Sequence, residues 1–217
     1  MREVRITEIQ IKGTIIPNDD KSMYDWFDIE STCPNDVAKA FEQADGEDVD
    51  IYINSGGGDV VSANEIYSLI QRNSDRVKIH VAGRACSAAT IIMCAAENDI
   101  SATSMVMIHN VSTIAEGNHN DFEHAAQVLK TADRAICQAY VNKSGKPESE
   151  WLALMDKEKW FTAREAVEMG LCDKVVSPMM NGYCDVITPE QRKQFENAKA
   201  KAQAQIKLEK LKGDVKI

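Results

Sequence analysis

Residues 48–58 read DVDIYINSGGG, and this stretch decides the fold. Val49, Ile51 and Ile53 alternate with Asp50, Tyr52 and Asn54, the period of a strand with one apolar face. The strand runs into Ser55-Gly56-Gly57-Gly58. A segment with Ala63, Ile66, Tyr67, Leu69 and Ile70 on one helical face follows. Residues 77–81, VKIHV, form a second strand ending at Gly83. Residues 86–96 have helical length and are apolar nearly all round, which implies a buried helix. Residues 104–109, SMVMIH, form a third strand. Strand, glycine turn and helix, repeated, predict an α/β architecture with parallel pairing.

Outward from this centre, Val4, Ile6, Ile9 and Ile11 make a short alternating first strand. Pro17 and Asn18-Asp19-Asp20 mark a loop, and DVAKAFEQA at 36–44 is a helix broken by Asp45-Gly46. Residues 121–142 form a long amphipathic helix through Phe122, Ala125, Ala126, Leu129, Ala132, Ile136, Ala139 and Tyr140. Gly145 and Pro147 stop it. A short helix at 162–169 ends at Gly170. Thr188-Pro189-Glu190-Gln191 opens a last helix: Thr188 caps, Pro189 suits the first turn and Gln191 completes a capping box. The chain therefore divides into a main domain, 1–187, and a basic helical extension, 188–217.

A chain of 217 residues holds one sizeable core. Its 44% hydrophobic and 27% charged residues suit a globular domain. No run of about 18 apolar residues predicts a membrane span, and the first residues, MREVRITEIQIKG, carry no export signal. Cys33, Cys86, Cys94, Cys137, Cys172 and Cys184 form no C-x-x-C pair, so reduced thiols in a cytoplasmic protein are expected. The net charge of −9 is uneven: from Thr188 on there are eight Lys/Arg against four Asp/Glu, and before it 17 against 30. An acidic body argues against nucleic-acid binding. The basic extension reads as a solvated helix or as a contact for an acidic surface.

Three features bear on chemistry. Asn54-Ser55-Gly56-Gly57-Gly58-Asp59 lets backbone amides approach a ligand, as an anion site or as a plain tight turn. It is not a P-loop, since no Gly-Lys-Ser/Thr follows. In Gly83-Arg84-Ala85-Cys86-Ser87-Ala88-Ala89, Ser87 stands where a strand gives way to a helix. It reads as a cap, a packing residue or a nucleophile beside helix-start amides. His109 ends an apolar strand, a common place for active-site residues in α/β sheets. A structural histidine also fits there.

Taken together, INSGGGDV, GRACSAA, MVMIHN and KWFTAREAVEMGLCDKV, in this order from Ile51 to Val176, resemble the ClpP family of serine peptidases. Within it, phage and prophage head-maturation proteases look closest, through Ser87-Ala88-Ala89 and the WFTAREAVEMGL block. The resemblance implies the ClpP/crotonase-type fold of repeated ββα units with a long handle helix. It implies a serine endopeptidase with Ser87 as nucleophile and His109 as general base. Gly58 and Ala88 would form the oxyanion hole, and Gly57, Asp59 and Val60 would line the substrate strand. The family's Asp lies two residues before the aromatic residue opening the last block. An ungapped alignment puts Glu158 there, with Asp156 two residues upstream as the alternative acid.

The family further implies a peptide or protein substrate, a homo-oligomeric ring (heptameric or stacked) and no metal or organic cofactor. The phage variety implies capsid or scaffold partners and a place in the cytoplasm or a prohead. Three departures stand out. Gly56 replaces the family's Pro, the Ser87–His109 segment is shorter, and the N-terminal pore segment that engages AAA+ unfoldases has no counterpart, so an unfoldase partner does not carry over. Two other readings stay open: an inactive structural ring protein and a crotonase-like acyl-CoA enzyme. Neither requires a Ser–His pair.

Overall fold

The computed structural model describes residues 6–176 and Lys193. All but Lys193 lie in the compact unit Met1–Pro178. Val4, Cys184 and the basic extension (Lys193 apart) lie outside the described residues.

The chain runs β1 (Thr7–Ile15), a 3-10 turn (Asn18–Asp20), α1 (Lys21–Trp26), β2 (Ser31–Thr32), α2 (Pro34–Gln43), β3 (Val49–Gly58) and α3 (Val60–Gln71). After a second 3-10 turn come β4 (Val77–Cys86), α4 (Ala88–Met93), β5 (Glu97–Ser101), β6 (Met105–Ile108) and α5 (His119–Ser144). The last elements are α6 (Glu148–Met155), β7 (Lys159–Thr162), α7 (Ala163–Glu168) and β8 (Lys174–Val176). The sheet order is β2-β1-β3-β4-β5-β8, with β6 on β4 and β7 on β6. Every pairing is parallel except β6–β7. This is the α/β architecture that the alternating strands and glycine turns imply, with the long helix in place.

Parallel sheets are commonly covered by helices on both faces and read as unbroken apolar runs. Here the strands alternate. Ile9, Ile11, Val49, Ile51, Ile53, Val77, Ile79 and Val81 are buried in one core. The opposite positions carry Glu8, Gln10, Asp50, Tyr52, Lys78 and His80. Burying that one face stabilises the fold by roughly 1.5–3 kcal/mol for each large aliphatic side chain.

The central strand β4 pairs with β3 on one side and with two strands on the other. Lys78–Val81 pair with β5, whereas Arg84–Cys86 pair with β6. Ser104 stands at the fork, its hydroxyl donating to the Val81 carbonyl at 3.1 Å. The fork gives the end of β4 a second neighbour, so Ser87 after β4 and His109 after β6 emerge side by side.

β5 has no counterpart in the apolar pattern. Its Asn98 is fully buried, yet its side chain donates to the Met93 and Leu171 carbonyls at 2.8 and 2.9 Å. A polar strand is admitted to the interior because its polar groups are satisfied. In α5 the buried residues are Asp133, Ile136, Cys137, Ala139 and Tyr140, all in its C-terminal half. Its N-terminal half leaves Phe122 and Val128 half exposed. Among the described residues, no helix is long and apolar enough to cross a membrane.

Candidate active site

Ser87 has φ 53° and ψ −128°, a backbone conformation that a residue with a Cβ rarely adopts and that costs on the order of 1–3 kcal/mol. Two contacts hold it there. Its amide donates to the Met107 carbonyl of β6 at 2.8 Å, and its carbonyl accepts from the Thr90 amide at 2.9 Å. The Thr90 hydroxyl donates to the same carbonyl at 2.6 Å and lies 2.6 Å from the Tyr140 hydroxyl of α5. With its proton so engaged, Thr90 receives the proton of Tyr140. A buried chain of hydroxyls thus ties the strained serine to the long helix. Such a turn lifts a side chain out of the sheet.

The Ser87 hydroxyl lies 2.7 Å from His109 Nε2. That is hydrogen-bond reach for a nucleophile and its base. Ser87, Ala88, His109 and Gly58 line one cavity of about 60 Å³, with Val60, Ile91 and Val111 among its other walls.

The glycines expected as a turn instead close β3: Gly57 and Gly58 pair with Thr14 and Ile15 of β1 past a register shift, and Gly57 packs against the serine. A Cβ on Gly57 would stand 2.7 Å from Ser87 Cβ and 2.9 Å from the Ala88 nitrogen, and its φ is +96°. Only glycine lets the two backbones meet this closely. Gly58, at φ +147°, abuts Ile15 of β1. Ser55 steadies this end of β3: its hydroxyl donates to the Gly13 carbonyl at 2.6 Å and accepts from the Gly57 amide at 3.1 Å. Asp59 has a local task. Its carboxylate accepts from the Ser62 amide and hydroxyl, both at 2.7 Å, capping α3, and its amide donates to the Ile15 carbonyl at 2.8 Å. Val60 lines both the small cavity and an adjoining apolar groove of about 480 Å³, which Val111, Val128, Leu129 and Ala132 also border.

Two carboxylates, those of Asp156 and Asp133, bond the segment after His109, and Glu158 turns to Trp160. Asp156, in the turn after α6, accepts from the Asn110 side chain at 2.8 Å. Glu158 has φ 48°, and its carboxylate accepts from the Trp160 indole at 3.3 Å. Asp133 of α5 accepts from the Val111 amide at 2.6 Å and is 9% exposed. Burial pushes its carboxyl up; the Val111 amide opposes this, Asp156 adds to it and His109 opposes it. Glu158 and Asp156, the two acids suggested by the sequence, thus engage Trp160 and Asn110. Asp133 was missed. Its signal is a charged residue on the buried stripe of α5, four residues after Leu129 and three before Ile136.

A match to the Clp protease family covers residues 31–179. The chain belongs to the Clp protease family. It is 34% identical over 134 residues to an ATP-dependent Clp protease proteolytic subunit of Bacteroides fragilis, covering 60% of this chain and 65% of that one. A protein of the same description from Pleurastrum terricola is 31% identical over 138 residues, covering 61% and 69%. One from Bacteroides thetaiotaomicron is 34% identical over 134 residues, covering 60% and 61%. The chain spans less than two thirds of the length of these Bacteroides relatives.

In this Clp-family chain the thiols among the described residues lack the setting of a nucleophile. Cys86, its neighbour, is buried, and burial pushes its thiol up. Burial likewise raises Cys137 to about 11 and Cys172 to about 12. Nucleophilic cysteines have the opposite shift. Cys33, Cys86, Cys94, Cys137 and Cys172 are free and buried.

Proposed function

We propose that this protein is a serine endopeptidase of the Clp type. The observation that carries the reading is the 2.7 Å approach of His109 Nε2 to Ser87 Oγ in a cavity lined by Gly58 and Ala88. His109 takes the Ser87 proton as the hydroxyl attacks the scissile carbonyl, and later gives it to the leaving amine. The amides of Gly58 and Ala88 receive the oxyanion. A carboxylate behind the imidazole supports its charged form; Glu158 and Asp156 are the candidates that the family alignment brings. The adjoining apolar groove suits an extended peptide with an apolar side chain next to the cut bond.

The half-exposed apolar positions of α5, Phe122 and Val128, support a homo-oligomer in which this helix meets a neighbouring copy. A ring would enclose Ser87 and confine cleavage. The Ser-Ala-Ala and WFTAREAVEMGL blocks support a head-maturation role on capsid or scaffold proteins.

The test is cleavage of casein and of fluorogenic peptides with apolar residues before the cut, together with light scattering. Turnover that disappears in Ser87→Ala, in an assembly larger than a dimer, is the expected result. A folded assembly without turnover speaks for an inactive ring protein. Acyl-CoA binding in the same cavity speaks for a crotonase-like enzyme.

A further inference from the structure

We propose that Asp133, on the long helix α5, is the positioning residue for His109. This rests on the peptidase reading of Ser87 and His109. The three residues 109–111 are held by different means. His109 meets Ser87 at 2.7 Å, the Asn110 side chain is tied to Asp156 at 2.8 Å, and the Val111 amide is tied to Asp133 at 2.6 Å. The bond to Asp133 is the only one of the two tethers that grips the backbone, two residues from the imidazole. It therefore fixes where β6 ends and where the ring of His109 stands.

Asp133 also differs from Asp156 and Glu158 in its setting. It is 9% exposed, whereas both bonds made by Asp156 and Glu158 are solvent-exposed. A buried carboxylate is screened least, so its charge acts most strongly on a nearby imidazolium. Facing Asp133 are His109 from the end of β6, Asp156 from the turn after α6 and the Val111 amide. His109 meets Ser87 from the end of β4 at 2.7 Å, and its charge acts on Asp133 of α5. When His109 takes the proton of Ser87, a positive charge appears beside Asp133, and the pair stabilises the step.

The division of labour predicts different losses. Asp133→Asn keeps an oxygen for the Val111 amide and removes the charge. Two readouts decide. One is the rate at which a fluorophosphonate modifies Ser87. The other is the titration midpoint of His109, read by NMR on protein with labelled histidine and assigned with His109→Ala. Asp133→Asn is expected to slow modification by about 30- to 100-fold and to move the His109 midpoint down. Asp156→Asn is expected to change the rate by less than about 5-fold and to shift the midpoint less. Asp133→Glu, which restores the charge, is expected to bring the midpoint back and part of the rate.

An Asp133→Asn protein with wild-type rate and wild-type midpoint overturns the proposal, as does a larger loss in Asp156→Asn. Should Asp133→Asn not fold, Asp133→Ser, also neutral, takes its place. If wild-type protein takes no label at Ser87, the peptidase reading fails, and the His109 midpoint still decides whether Asp133 acts on the imidazole.

Discussion

His80 and His109 lie in the same domain, and both have carboxylates for neighbours. His80 sits in the middle of β4 on the polar face of the sheet. Its Nδ1 is 2.8 Å from Asp99, its Nε2 is 3.5 Å from Asp50, and the Tyr52 ring stacks on it at 4.9 Å. Asp99 is nearly buried and also has Lys78 at 3.9 Å. By the geometry of the histidine and carboxylate alone, His80 has the better pair. Yet its partners are carboxylates and a ring, whereas His109 meets a strained serine at the edge of a cavity. A histidine–aspartate contact is therefore a common structural device. What distinguishes the second region is the strained serine, the glycines of β3 pressed against it and the cavity beside them.

The comparison breaks most readily at the serine. Ser87→Ala is expected to lower peptide turnover by at least about 1000-fold and to leave thermal unfolding nearly unchanged. Gly57→Ala is expected to cost about 100-fold or more in turnover. The added methyl group would strike the Ser87 and Ala88 backbone region, and the positive φ adds strain of about 1–3 kcal/mol. Both losses are read by peptide hydrolysis beside melting curves.

At His80 the sign reverses. His80→Gln or Asp99→Asn is expected to destabilise the fold by about 1–3 kcal/mol, measured by denaturant titration, with turnover per folded molecule unchanged. A tenfold loss of turnover in either variant would erase the distinction between the two histidines. Tyr140→Phe removes the first hydroxyl of the chain behind Ser87 and is expected to cost about 1 kcal/mol with a modest fall in turnover.

The smallest effect concerns pH. The Asp133 carboxyl is raised by burial, so the folded protein holds that proton more tightly than the unfolded chain. Stability is lost as pH rises from the ordinary carboxylate range through the raised value. Asp133→Asn is therefore expected to melt higher than wild type at neutral pH, with the gap closing in acid below the ordinary range. A stability loss in a position kept for its charge would suit a functional site.

Much of the fold is legible in the sequence. The alternation in DVDIYIN and the apolar 86–96 segment are local signals: the first became β3, which stays extended through Gly58 where a turn was expected because β1 pairs with it, and the second became α4, shortened to Ala88–Met93. The strand β4 runs past Gly83 to Cys86, because β6 pairs there and holds it extended. β5 escaped because Asn98 and Asp99 are made buriable largely by partners distant in sequence, Asp173, Leu171 and His80. The short strands β2, β7 and β8 have two to four residues, too few for a period to emerge. Ser87 and His109 were readable as a pair from the blocks around them, and they stand 2.7 Å apart. Asp133 was not, since a polar residue on a long helix becomes informative only when its face is known to be buried.

The central claim is that Ser87 is a nucleophile activated by His109. A fluorophosphonate probe followed by peptide mass spectrometry tests it directly. The account predicts one adduct on Ser87, absent in Ser87→Ala and strongly slowed in His109→Ala, with His80→Gln labelling at the wild-type rate. A folded protein that takes no label, or takes it at another residue, would contradict it.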